Sequence, residues 1–205
     1  MIDVKAGEQI ESAADPGPDL RPDLRPDLAI LIGGGIAIGI ISAISLPGPI
    51  AAASLVLGLL MVAGAEVDAR TYLLPNAITW SATACGIAAA PYLDELSPWL
   101  AVGDAVLRAA GTAGLLALLR WSYGRIRQTE GLGLGDVKLA AAAGAWLPLE
   151  MLPLCFGLAA GGALVSVLWA RLCGGHIDRA MKIPLGAFLC PALWLTFYAS
   201  SLPAG

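Results

Sequence analysis

Long apolar stretches recur from Leu28 to the end of the chain, and they leave little choice of fold. Crossing a hydrocarbon core about 30 Å thick takes roughly 20 apolar residues of helix. Inside that core each backbone N–H and C=O has to be satisfied within its own segment, so such stretches become helices. Hydrophobic residues make up 58% of the chain and charged residues 14%, a balance that excludes an ordinary soluble domain. The reading is an all-α, polytopic membrane helical bundle with about seven transmembrane spans, between six and eight. In order they cover residues 28–46, 50–67, 77–90, about 105–119, 137–147, 151–172 and 183–202.

Two of these spans are unusual. The fourth has Asp104 and Arg108 near its start, four residues apart and able to pair on one helix face, which fits the membrane-interface end of a helix. The fifth runs only about 17 Å before Pro148, at 1.5 Å per residue. A short helix behind a glycine-rich loop is tolerable where neighbouring protein or a water-filled cavity satisfies the loop backbone.

The first 27 residues are different in kind. Pro18-Asp19-Leu20-Arg21 repeats as Pro22-Asp23-Leu24-Arg25 and begins again at Pro26-Asp27-Leu28. A proline every fourth residue breaks a helix, and alternating charge opposes collapse, so residues 1–27 are expected to form a disordered cytoplasmic arm. Residues 28–205 form the membrane domain. Seven of the sixteen acids lie in the arm, so the acidic balance describes a tail and gives no case for nucleic-acid binding. With acids near the start, no signal peptide is expected here.

Lysine and arginine set the orientation. They occur in the arm (Lys5, Arg21, Arg25) and after spans two (Arg70), four (Arg120, Arg125, Arg127) and six (Arg171, Arg179, Lys182). The intervening turns and the C-terminus carry none. By the positive-inside rule the N-terminus is cytoplasmic and, for seven spans, the C-terminus lies outside.

Against this background two acids stand out. Gly131-Leu132-Gly133-Leu134-Gly135-Asp136-Val137-Lys138 places an aspartate on alternating glycines where a hydrophobic segment begins. Asp68 follows the second span and precedes Leu73-Leu74-Pro75-Asn76. A carboxylate at a helix centre in the membrane costs about 2.5–3.5 kcal/mol on insertion scales, so an intramembrane acid points to function. The topology puts both at the cytoplasmic edge. Two carboxylates close enough to share a proton give an acid and a base at one pH. The base activates water and the acid polarises the scissile carbonyl, so an aspartyl protease needs no nucleophilic serine, no cofactor and no metal. The plainer reading is that Asp68 and Asp136 cap helices.

The segment Glu66-Val67-Asp68-Ala69-Arg70-Thr71-Tyr72-Leu73-Leu74-Pro75-Asn76 resembles the first-aspartate motif of the type IV prepilin peptidases. The 131–138 run, with Ala143-Gly144-Ala145-Trp146-Leu147, resembles their second, GxGD motif, and Lys182-Ile183-Pro184-Leu185-Gly186-Ala187-Phe188-Leu189 a third segment. The resemblance covers about residues 50–200. It implies removal of the short basic leader from prepilins or pilin-like pseudopilins at the cytoplasmic face of the inner membrane. It carries Asp68 and Asp136 over as the catalytic pair and Gly133 and Gly135 as motif glycines shaping the site; Pro75, Asn76 and Lys138 are further candidates for shaping the site or lying near substrate. The expected partners are thus a prepilin or pseudopilin and membrane lipid. Larger members also methylate the new amine and carry paired CxxC motifs. Cys85, Cys155, Cys173 and Cys190 have no such spacing, so the short, peptidase-only form is expected, with free apolar thiols rather than a zinc site.

Two other readings remain open at this stage. A presenilin or signal-peptide-peptidase-like protease also uses GxGD, and Pro191-Ala192-Leu193 matches a tripeptide of those enzymes, although no tyrosine precedes Asp68. A small transporter or assembly scaffold could use the acids as a proton relay. Among the minor signals, Glu66 is expected to point away from Asp68 into interfacial solvent. Lys138 either orients an acidic group or snorkels to the interface. His176 is read as a solvated loop residue. Gly35/Gly39 and Gly157/Gly161 have the spacing that lets helices pack closely. Trp80, Trp99, Trp121, Tyr123 and Trp146 serve the interface or packing.

Overall fold

The computed structural model describes residues 24–93, 97–127, 133–173 and 184–202. Among these residues the chain forms seven α-helices: α1 (Leu28–Ser45), α2 (Gly48–Thr71), α3 (Asn76–Leu93), α4 (Pro98–Arg127), α5 (Leu134–Trp146), α6 (Leu152–Leu172) and α7 (Leu185–Ser200). A single 3-10 turn, Leu149–Met151, leads into α6. The all-helical membrane bundle anticipated from the apolar stretches is the fold observed. Among the described residues, four segments are long and apolar enough to cross a membrane: Leu28–Ser45, Gly48–Thr71, Pro98–Ile126 and Leu149–Leu172. Residues 1–23 of the arm and His176 lie outside the described residues.

The short helix α5 sits at the centre. From Leu139 to Trp146 only Ala141 escapes full burial. It is covered by α3, α4 and α7, while α2 packs on α1, α3 and α7, and α6 packs on α7. A helix of 13 residues is tolerated at membrane depth because protein rather than lipid surrounds it. Alanines and a glycine make this possible. A methyl group on Gly144 would fall on the Thr112 hydroxyl and 2.5 Å from the Arg108 carbonyl oxygen, so α4 and α5 touch backbone to backbone there. The Thr112 hydroxyl bonds the Ala140 carbonyl at 2.9 Å, and the Trp146 indole N–H bonds the Ala82 carbonyl at 2.8 Å. The middle and the C-terminal end of α5 are therefore hydrogen-bonded into neighbouring helices.

The fourth span is longer than its sequence pattern implies. Helix α4 begins at Pro98 and runs 30 residues, so Asp104 and Arg108 lie within it and not at its end. Their ion pair forms as expected from the spacing. The reason the helix carries them so deep is a second bond: Arg108 Nε donates to the Gly144 carbonyl at 3.3 Å, giving the guanidinium two acceptors. Helix α5 likewise starts three residues earlier than expected, at Leu134, which places Asp136 inside the first turn. The two glycine pairs behave differently. Gly35 and Gly39 lie against Leu59 and Leu55 of α2, whereas Gly157 and Gly161 face open space. Trp146 is buried; Trp80, Trp99, Trp121 and Tyr123 are exposed.

This packing has a testable consequence. Gly144→Ala should destabilise the bundle by about 1–3 kcal/mol, the usual cost of overpacking, read as a lower thermal midpoint in detergent. Gly114→Ala, which meets nothing within 4 Å, is the control. An unchanged midpoint for Gly144→Ala would mean that α4 and α5 are not in backbone contact.

Candidate active site

Asp68 lies in the last turn of α2 and is only 6% exposed. The helix ends just after it. Tyr72 adopts a left-handed conformation with φ 55°, and its N–H closes on the Asp68 carbonyl at 2.9 Å. A non-glycine residue there stores backbone strain. The result is an immediate reversal into Leu73-Leu74-Pro75 and the start of α3. Pro75 turns its carbonyl onto the first amides of α3, accepting from Ile78 and Thr79 at 3.1 and 3.3 Å. The motif thus builds a tight α2–α3 corner with a buried carboxylate on its inner side.

Asp136 comes from the opposite direction, in the first turn of α5. Its Oδ2 accepts the Gly133 amide at 3.2 Å, so it does perform the helix-capping role of the plainer reading. Unlike a surface cap, however, it is partly buried and lies within electrostatic range of both Asp68 and Arg120. The two carboxylates therefore share one neighbourhood although 68 positions separate them in the chain. Gly135 lets this happen. A Cβ there would stand 3.0 Å from the Leu74 Cβ, so the first turn of α5 presses directly on the α2–α3 corner.

A side-chain bond ties the two motifs together. Lys138 Nζ donates to Asn76 Oδ1 at 2.6 Å, joining the first turns of α5 and α3. The partner of Lys138 is thus a neutral side-chain amide, not the acidic group that one reading of the sequence expected. Asp68, Asp136, Gly133, Gly135, Pro75, Asn76 and Lys138 all belong to this one edge of the bundle. Gly131 and Leu132 lie outside the described residues.

Two features escape a reading of the sequence. Glu66 does point away from Asp68, but it is not solvated: its side chain is 7% exposed. Its Oε1 sits 2.6 Å from Arg70 Nε as an ion pair without hydrogen-bond alignment, and its Oε2 accepts Arg70 Nη2 at 2.9 Å. The same oxygen accepts the Asp27 amide at 3.2 Å, while Arg70 also donates to the Arg25 carbonyl at 2.7 Å. Glu66 and Arg70 thus fasten the residues just before α1 to the aspartate-bearing end of α2. The i,i+4 spacing of Glu66 and Arg70 was the available signal; their partner 39 positions away was not. The second feature is the start of α7, where the Ala187 amide donates to Asp68 Oδ2 at 2.8 Å. The third motif segment is thereby brought onto the first aspartate.

The cysteines are all free, with Cys155 and Cys190 buried, Cys85 half-buried and Cys173 exposed. Among the described residues no group of three or more His, Cys, Asp or Glu side chains is placed to hold a metal.

With this geometry in view, comparison with known proteins is informative. Residues 55–204 match the model of the type IV leader peptidase family. The chain is 33% identical over 146 residues to a prepilin leader peptidase/N-methyltransferase of Xanthomonas campestris pv. campestris, covering 71% of this chain and 49% of that protein. It is 32% identical over 150 residues to a protein of the same description from Aeromonas hydrophila, covering 73% and 50%. It thus spans about half the length of these relatives. Against the leader peptidase HopD of Salmonella typhimurium it is 37% identical over 139 residues, covering 67% of this chain and 86% of that protein. No solved structure matches the chain.

The clamp around Glu66 makes a separate expectation. A hydrogen bond to a charged acceptor contributes about 1.5–3 kcal/mol, so Glu66→Ala should speed hydrogen exchange at the Asp27 amide by roughly tenfold or more. Exchange at an unchanged rate would show that Glu66 does not hold this segment.

Proposed function

Since the chain belongs to the type IV leader peptidase family, we propose that it removes the leader peptide from prepilins or pilin-like pseudopilins, with Asp68 and Asp136 as an aspartyl dyad. The observation that supports this reading is that two motif carboxylates, one at the end of α2 and one at the start of α5, come to the same edge of the bundle, where α5 presses on the α2–α3 corner at Gly135 and Leu74. Family membership favours it over a presenilin-like protease and over a transporter or scaffold.

Chemically, the two carboxylates hold one proton between them, because charging both at short range is unfavourable. The ionised member takes a proton from a water molecule as its oxygen attacks the scissile carbonyl carbon. The protonated member donates to the carbonyl oxygen, giving a neutral tetrahedral intermediate. On collapse the C–N bond breaks, the carbonyl re-forms and the leaving nitrogen receives a proton. The products are the leader, with a new carboxyl group, and the mature chain, with a new amine. Water supplies all the atoms added, and the scheme draws on no metal or cofactor.

The surrounding residues have supporting parts. Gly133 presents its amide to Asp136, and Gly135 lets α5 approach the corner at Leu74. Pro75 shapes that corner, and the Lys138–Asn76 bond fixes the separation of the two helix starts that flank it. Lysine and arginine near the same ends of α2, α4 and α6 support a cytoplasmic position at the inner membrane for this edge and the N-terminus. The substrate then presents its basic leader in the cytoplasm and its hydrophobic helix in the bilayer. Residues 28–205 act as the peptidase domain. The absence of CxxC spacing in this sequence favours peptidase activity without methyl transfer.

Asp68→Asn and Asp136→Asn should each lower leader cleavage by about 10³-fold or more, and the double variant should lose little beyond either single one, as expected of groups acting as a unit. The measurement is mass shift and N-terminal sequencing of a co-expressed precursor, with membrane insertion of each variant checked in parallel. A chelator should leave cleavage unchanged. Near-parental cleavage by Asp136→Asn would refute the dyad, and loss of activity on chelation alone would require a metal-dependent mechanism in its place.

A further inference from the structure

The structure assigns Gly186 to the catalytic apparatus as a positioning residue: the Asp68 carboxylate rests on its bare Cα, where any side chain would displace it. The assignment rests on the role proposed above for Asp68. A Cβ at position 186 would stand 2.7 Å from Asp68 Oδ2, 2.9 Å from its Cγ and 3.3 Å from Oδ1. The whole carboxylate plane is therefore stacked over one glycine. It cannot give way without loss, because Oδ2 is held by the Ala187 amide at 2.8 Å and the Gly186 amide also faces it. These are first-turn amides of α7, which have no acceptor within their own helix and are free to bind an outside oxygen.

Two consequences follow from that arrangement. The amides are directional, so they fix the rotation of the carboxylate as well as its position. The bare Cα brings the α7 axis closer to α2 than a methyl group would allow. Cys190, one turn along the same helix, shows the same close approach, with its sulfur 3.0 Å from where a Cβ on Gly64 would be. Helix α7 is thus set against α2 through two glycines, one on each helix, and the glycine at the membrane edge is the one that carries the aspartate. The role is one of positioning, since Gly186 has no group that could touch the reacting atoms.

The test is Gly186→Ala in the full-length chain, assayed on a precursor for kcat and KM separately. A misplacement of about 1 Å costs on the order of 100-fold in rate, so kcat should fall by roughly that factor while KM changes by less than about twofold. Gly161→Ala, on α6 in open space, should leave both constants unaltered. A second measurement needs no cleavage assay. Gly186→Ala should lower the thermal midpoint in detergent by about 2–4 °C or more, and the same change in an Asp68→Ala background should lower it hardly at all, because the methyl group then has room. If Gly186→Ala fails to fold, recovery of folding in the double variant supports the assignment equally. Parental kcat in Gly186→Ala, or an equal loss of midpoint in both backgrounds, would overturn it. Coupling of the two residues in stability, in a parent protein that cuts no leader, would support the seat at Gly186 and refute the peptidase reading instead.

Discussion

A carboxylate buried between apolar helices has to find donors, and in this chain Asp68 finds them at the start of α7, in the Ala187 amide. Much of the architecture can be understood from that single contact. It requires the end of α2 and the beginning of α7 to lie at one level, and it requires close approach where they meet. The core helix α5 then fits between α3, α4 and α7, and its first turn delivers Asp136 to the same edge. Burial in a membrane domain makes an unpaired acid costly. Once the acid is paired with backbone amides the same burial holds it still, which is the condition a positioned catalytic group needs.

The edge is held from several sides by different kinds of force. Strained backbone at Tyr72 turns the chain, a charged hydrogen bond from Lys138 to Asn76 spans the two motifs, and glycine at 135 permits contact that no side chain would. Farther out, Glu66 and Arg70 tie down the residues preceding α1. These contacts join segments far apart in sequence, so the site is a product of the whole bundle rather than of any one helix. The resemblance to leader peptidases extends over nearly the same range, residues 55–204.

How much of this could be read in the sequence depends on whether the signal was local. The helices could be, because apolar length and breaks at proline and glycine act within one segment. The two aspartates could be, because an acid beside a membrane span is conspicuous wherever it folds. The length of α4 could not, since one of the two acceptors that hold Arg108 inside the helix is the Gly144 carbonyl of another helix. The burial of Glu66 was hidden for the same reason: its second partner is the backbone at Asp27. Gly186 was visible as a motif residue, yet nothing in its neighbours announced that the space it leaves is filled by a carboxylate 118 positions earlier. Contacts between backbone and distant side chains leave no periodic trace.

The central claim is that Asp68 and Asp136 occupy one site, and thiol crosslinking measures this most directly. In a background with Cys85, Cys155, Cys173 and Cys190 replaced, cysteines are introduced at 68 and 136 and treated in native membranes with a short bifunctional thiol reagent. A parallel pair at 76 and 138, positions joined by a 2.6 Å bond in the parent, reports that this edge is accessible and folded. Efficient intramolecular crosslinking of 68 with 136 is the expected result. Crosslinking of 76 with 138 but none of 68 with 136 would contradict the claim.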